Sequence, residues 1–212
     1  MIPCAVCLFW LALSAIAQDS SAPGHSPHEL VVFEQFPSDP NLFRTDLRAD
    51  IPRIIQRHGM DEWRISVLTS EIHQHLGIYS VIGAKMGLRA REYYGVGLDE
   101  LQIRSHAGML PPVSCLNDGL QVSTGATLGH GTISVSSGGA TMPEAEFTHR
   151  DRTILVRLKP EVLNRIREDL SAAIRQHGDL TPAYFDFVRK LSVRYWLELD
   201  RKNIFEITES GR

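Results

Sequence analysis

The stretch from His75 to Tyr94 constrains the fold most, because it asks for a helix and then interrupts it with glycine. Apolar Leu76, Tyr79, Ile82, Met86 and Tyr93 recur at spacings of three, four or seven residues, which is the repeat of one helix face. Gly77, Gly83 and Gly87 stand inside the same stretch, although each glycine costs a helix about 1 kcal/mol relative to alanine. A residue with no side chain is useful there when another backbone must come close. The pattern therefore predicts one long helix pressed against a second segment of main chain.

Both sides of that helix can be read from periodicity. Upstream, Ile51 to His58 suits a short helix, and Trp63-Arg64-Ile65-Ser66-Val67-Leu68 alternates as a strand or a transitional segment would. Downstream, Leu101 to His106 alternates like a half-buried strand until Pro111-Pro112 forces a break, and Val113 to Thr124 can form a second helix. A Gly-rich turn over residues 125–131 leads into three further strands, Thr132 to Ser136, Glu144 to His149 and Thr153 to Leu158. Two C-terminal helices follow, over residues 160–176 and 182–200. Pro160 and Pro182 mark their first turns and Gly178 ends the first. The fold class is α+β, with a sheet, the helices that cover it and a C-terminal helical pair.

At 212 residues, 43% hydrophobic and 22% charged, the chain can bury the core of one medium domain. That domain is expected over residues 41–212, after a Pro/Ser-containing linker or extended segment at 18–40. The net charge of −3 offers no surplus to neutralise phosphates, so nucleic acid is not an expected partner. The first 17 residues carry no charged side chain and end in Ala15-Ile16-Ala17. They read as a signal peptide with a small-residue cleavage site, too short to span a bilayer comfortably. Export to a periplasmic or extracellular space follows, with no membrane span in the mature chain. Cleavage would leave Cys115 as the sole cysteine, unable to form an internal disulfide. A lone thiol in an oxidising space is either buried as an inert small hydrophobe or bound.

His73-Gln74-His75 offers a second reason to think of binding. In an extended segment both imidazoles project to one face, whereas in a regular helix they diverge by about 200°. The useful geometry is a strand end or loop leading into the long helix. Cys115 precedes Asp118 by three residues, so on a helix thiol and carboxylate share a face. Two imidazoles and a thiolate suit Zn²⁺ or another borderline metal and leave a fourth position for water or a ligand. Asp118 is either a site group or a first-turn carboxylate favoured by the helix dipole. The cluster Arg89, Arg91 and Glu92 reads as a solvated face, and His106 as a further site wall.

These residues carry a resemblance. His73-Gln74-His75-Leu76, then Gly83-Ala84-Lys85-Met86-Gly87, then Cys115-Leu116-Asn117-Asp118-Gly119 running through Thr124-Gly125-Ala126-Thr127 to Gly129-His130-Gly131, together resemble the FmdE family. That family takes its name from formylmethanofuran dehydrogenase, and the likeness extends roughly over residues 63–160. It implies a helix-strand-helix-three-strand core in a mixed sheet and a bound transition metal, commonly zinc. By position it carries a metal role onto His73, His75 and Cys115 and makes Asp118 a site neighbour; Tyr79, Thr127 and His130 are further candidate neighbours. Gly77-Ile78-Tyr79 stands where the family pattern has Cys-Pro-Gly, Ala126 where it has Cys, Lys85 for Arg and His130 for Lys. Any metal here would thus have a more nitrogen-rich set of ligands.

Two functional classes stay open. In one, an exported protein of the cell envelope simply holds the metal, with a small-molecule ligand or a second copy of the chain as partner. In the other, a metal-dependent enzyme uses the ion to polarise a carbonyl or activate water, with Asp118 or Lys85 as catalytic candidates. Binding is favoured, since no nucleophile with a neighbouring base is visible.

Overall fold

The computed structural model describes residues 30–138 and 141–210, so the expected leader and the first part of the linker lie outside the described residues. The described chain is exposed over residues 31–35 and packs from Phe36 onward. Phe36 is buried, and the indole N–H of Trp63 donates to the Pro37 carbonyl at 2.9 Å. Short helix α1 (Thr45–Arg48) and α2 (Ile51–His58) follow, α2 burying Ile51 and Ile54.

Next comes α3 (Met60–His73), which corrects the strand-like reading of Trp63 to Leu68. The alternation misled because Arg64 and Ser66, the polar members of it, are buried along with Trp63 and Ile65. A helix enclosed on several sides keeps no polar stripe, and its sequence loses the helical signature. Trp63 stacks on Trp196 with ring centroids 5.4 Å apart, a contact worth about 1 kcal/mol beyond its area.

The predicted long helix is α4 (Ile78–Tyr94), closed by Gly95 in the left-handed region at φ 68°. Gly83 does what its placement suggested and admits another backbone, whereas Gly87 makes room for side chains. A side chain at Gly83 would run into the Leu116 carbonyl, and one at Gly87 into Ser123. The opposing segment is α5 (Leu116–Thr124), reached through a 3₁₀ turn over Val113–Cys115, and its Gly119 lies on the Ser80 carbonyl in return. The two helices meet main chain to main chain.

The sheet has five strands in the order β2-β1-β3-β4-β5, one more than expected. They are β1 (Gln102–Ser105), β2 (Ile133–Val135), β3 (Glu144–His149), β4 (Arg152–Leu158) and β5 (Phe205–Ser210). β1 and β2 run parallel, so α5 serves as the crossover between them, and the remaining pairs are antiparallel. One inward row crosses the sheet as Ile133, Ile103, Phe147 and Ile154, all buried. Helices α6 (Pro160–His177) and α7 (Pro182–Glu198) stand where proline and glycine punctuation placed them, and Thr181 caps α7 by accepting the Tyr184 N–H. The result is the expected α+β fold with a mixed sheet and a C-terminal helical pair. Among the described residues no helix is long and apolar enough to cross a membrane.

Candidate metal site

The corner between α3 and α4 brings the two histidines together. His73 is the last residue of α3, Gln74 turns the chain in the left-handed region at φ 62°, and Gly77 caps α4. His75 sits in the loop leading into the long helix, one of the two geometries the sequence offered, and not in an extended segment. The left-handed residue between them does the same work, setting the ring centroids 4.2 Å apart. A Cβ placed on Gly77 would be 3.2 Å from Nε2 of His73 and 3.2 Å from Nε2 of His75. Both nitrogens thus face one small volume above a residue that has no side chain to fill it.

Asp118 determines how His73 presents itself. Its Oδ2 lies 2.7 Å from His73 Nδ1, so a neutral imidazole that donates from Nδ1 keeps its lone pair on Nε2. A carboxylate holding the far nitrogen of a ligand in this way is the usual second layer of a metal site. His73 Nε2 is buried and has no hydrogen-bond partner. At His75 burial is the main cause of a lowered pKa, reinforced by the neighbouring His73 charge. A neutral imidazole is the form that binds metals.

Cys115 sits at the N-cap of α5 and lines the same cavities as His73. Burial, with the Asp118 charge added, pushes its thiol up to about 11, so it is protonated at neutral pH until a cation displaces the proton. Among the described residues no three His, Cys, Asp or Glu side chains close on a common point. The imidazole pair is assembled, while the thiol shares its cavity without joining it.

The other expected site residues divide. Tyr79 lines the cavity beside His73, His75 and Cys115. Lys85 does not, being six residues further along α4. It is fully buried with Nζ on Glu62 Oε1 at 2.5 Å, the Leu199 carbonyl at 2.8 Å and the Trp196 carbonyl at 3.2 Å. All three ammonium donors are engaged, so Lys85 is not available to a substrate or to Asp118. His130 is exposed, its Nδ1 3.1 Å from Asp99 Oδ1, and Thr127 Oγ1 accepts the His130 N–H; both shape the Gly-rich turn and stay away from the histidine corner. His106 lies between Glu146 and Ser136 at the sheet. Arg91 is not on a solvated face, because it is buried and donates to the Ser123 carbonyl at 3.1 Å.

Sequence reasoning missed the apolar side of the corner. A cavity of about 360 Å³ opens from His73, His75 and Cys115 toward Leu170 of α6 and Tyr184, Phe185 and Val188 of α7. The available signal was the crowding of Tyr184, Phe185, Phe187 and Val188 at the start of α7, more apolar surface than a single core stripe requires. On the other side of His73 a second cavity of about 310 Å³ is bounded by Asp118, Gln121, Met109 and Leu128.

The residues present suit a metal in two respects and lack a third. They supply an unpartnered buried nitrogen and a second nitrogen aimed at the same volume, whereas the third donor must come from Cys115 by side-chain rotation or from outside the chain. No curated protein matches the sequence. The profile of the family described as "FmdE, Molybdenum formylmethanofuran dehydrogenase operon" matches residues 72–190, from the histidine corner through the cavity-lining part of α7. That is more than half of the sequence, and the chain belongs to the FmdE family.

Proposed function

We propose that this chain is an exported metal-binding member of the FmdE family, holding a transition metal, zinc in the first instance, on Nε2 of His73 and His75 with Cys115 as the third donor. The observation that carries the reading is the buried, partnerless His73 Nε2 facing the same space as His75 Nε2. A buried polar atom left unpaired costs about 1–3 kcal/mol, and a cation would recover that loss. When bound, the ion would supply a Lewis-acidic centre; the chain's own contribution is to orient His73 through Asp118, keep His75 neutral and surround the donors with apolar side chains.

Binding is preferred to catalysis because Asp118, the candidate base, is occupied in holding His73. Export is supported by the charge-free apolar first 17 residues, which end in Ala15-Ile16-Ala17. The test is elemental analysis of the purified mature chain after incubation with zinc or cobalt, for the wild type and for His75→Ala and Cys115→Ser. Stoichiometric metal in the wild type and loss of it in folded variants, checked by circular dichroism, is the expected result. A wild-type chain that retains neither ion overturns the proposal.

A further inference from the structure

The two ends of the sheet are finished differently, and the difference leaves one of them open. β5, the last strand on one side, carries exposed Glu206 and Glu209, charges of the kind that stop an edge from recruiting another chain. β2, the last described strand on the other side, reads Ile133-Ser134-Val135 and carries none. Its bonds to β1 use alternate residues, since the Ile103 N–H donates to the Thr132 carbonyl and the Ser136 N–H to the Ser105 carbonyl. In a parallel pair of this register the N–H and C=O groups of Ile133 and Val135 point away from β1. Two donors and two acceptors therefore stand in a row where the sheet stops, a template for one further strand.

Apolar surface flanks that row, and the chain itself carries a segment that matches it. Met109 and Leu128, each 75% exposed, stand with Ile133 and Val135 around the cavity beyond His73. A strand added antiparallel to β2 would set every second side chain on the face of Ile133 and Val135, over that cavity. Leu30-Val31-Val32-Phe33 is uncharged and has β-branched residues at its centre. Leu30 packs against the Trp63 cluster and Phe33 meets Phe36 edge-on, ring centroids 5.9 Å apart, but Val31 and Val32 are 91% and 86% exposed. Consecutive exposed apolar residues of this kind mark a contact with another surface, and donor and acceptor are both short and uncharged.

We propose that residues 31–33 of one copy of this chain form an added antiparallel strand on β2 of a second copy, Val31 and Phe33 opposite Val135 and Ile133, and that the exchange is reciprocal, closing a two-fold dimer. The inference does not depend on the metal reading, and the test is run in EDTA so that the two can fail separately. Sedimentation equilibrium of the purified chain should show monomer and dimer exchanging with concentration. Val31→Lys places an ammonium at a position that is exposed in the single chain and covered in the dimer, so it should weaken association about tenfold or more and leave the circular dichroism unchanged. Val135→Pro removes an N–H that β1 does not use, and proline is tolerated on such an edge; it should weaken association to a similar degree. A wild-type chain that stays monomeric at every concentration, one that grows into open-ended oligomers, or a dimer that either folded variant keeps undiminished would overturn the inference.

Discussion

Two buried polar clusters are built on the same pair of helices, and they end differently. About three turns of α3 before His73, Glu62 accepts hydrogen bonds from Lys85 Nζ at 2.5 Å and from Arg201 Nη1 at 2.9 Å. Lys85 also reaches two carbonyls at the C-terminal end of α7, and Arg201 continues to Glu92 and the His58 carbonyl. Each buried charge has its partners, and the cluster ties α3, α4 and the end of α7 into one unit. At the corner, by contrast, Asp118 satisfies one nitrogen of His73 and the other is left over. Both clusters are buried and polar, so burial alone does not separate structure from site. What distinguishes the corner is that its leftover atom is a ring nitrogen set beside a second ring nitrogen, since buried polar atoms of Ser66, Thr69 and Trp196 also lack a partner.

The contrast breaks most visibly if Glu62 is removed. Glu62→Ala would leave the Lys85 ammonium, still on two carbonyls, and one side of Arg201 buried without their counter-charge, and the expected loss is about 3–5 kcal/mol in urea unfolding. A Glu62→Leu/Lys85→Met double variant should recover a substantial part of it, since an apolar pair of similar volume replaces the ion pair. A single-variant loss below about 1 kcal/mol would mean that the closed cluster is not structural after all.

A smaller effect, of a different kind, is expected at the corner. Asp118→Ala should weaken metal affinity about 10–100-fold by releasing the orientation of His73, and leave the unfolding midpoint nearly unchanged. Calorimetric titration with zinc measures the first and denaturant titration the second. If the variant unfolds easily yet binds zinc as before, Asp118 belongs with Glu62 and the distinction fails.

The smallest effect is one of pH. Burial is the main cause of a lowered His58 pKa, with the Lys85 charge adding to it. The unfolded chain takes up a proton as pH falls through about 6.5, where a free histidine titrates, and the folded chain does not until the pH is lower. Stability should therefore be flat above that point, decline below it, and level off again beneath the depressed folded value. His58→Gln should flatten the decline in melting temperature between about pH 7 and pH 5. Some slope should persist, because His75 is shifted in the same direction. An identical profile in the variant would show that the closed cluster does not sense pH through His58.

How much of this was legible in the sequence depended on how local the signal was. The ends of α6 and α7 were readable because Pro160, Gly178 and Thr181-Pro182 act on their own backbones. Gly83 announced a close backbone, and α5 supplies it, while at Gly87 the same helix brings the Ser123 and Thr124 side chains instead. The residues of α3 were misread because its neighbours bury Arg64 and Ser66, information that lies elsewhere in the chain. β5 was missed because Phe205 and Ile207 are followed by Thr208, Glu209 and Ser210, so this edge strand has too little apolar alternation to stand out. At the site, the pairing of His73 with His75 in a loop leading into α4 was foreseen, while the helix that ends at His73 was not. Lys85 was placed at the site by its motif position, whereas helix phase turns it toward Glu62. The cavity wall was hidden because Leu170, Tyr184 and Val188 look like ordinary core until the corner they face is known.

The crossing at Gly83 and Gly119 has a mechanical meaning for whatever arrives at the corner. Where peptide lies on peptide there is no cushion of rotatable side chains to take up movement, so α5 cannot slide on α4 without lifting away from it. Cys115 and Asp118 are thus carried on a stiff mount, and a captured ion could be accommodated only by side-chain rotation at the rim. Such a frame is suited to storing a passenger quietly and poorly suited to relaying its arrival to the far side of the molecule.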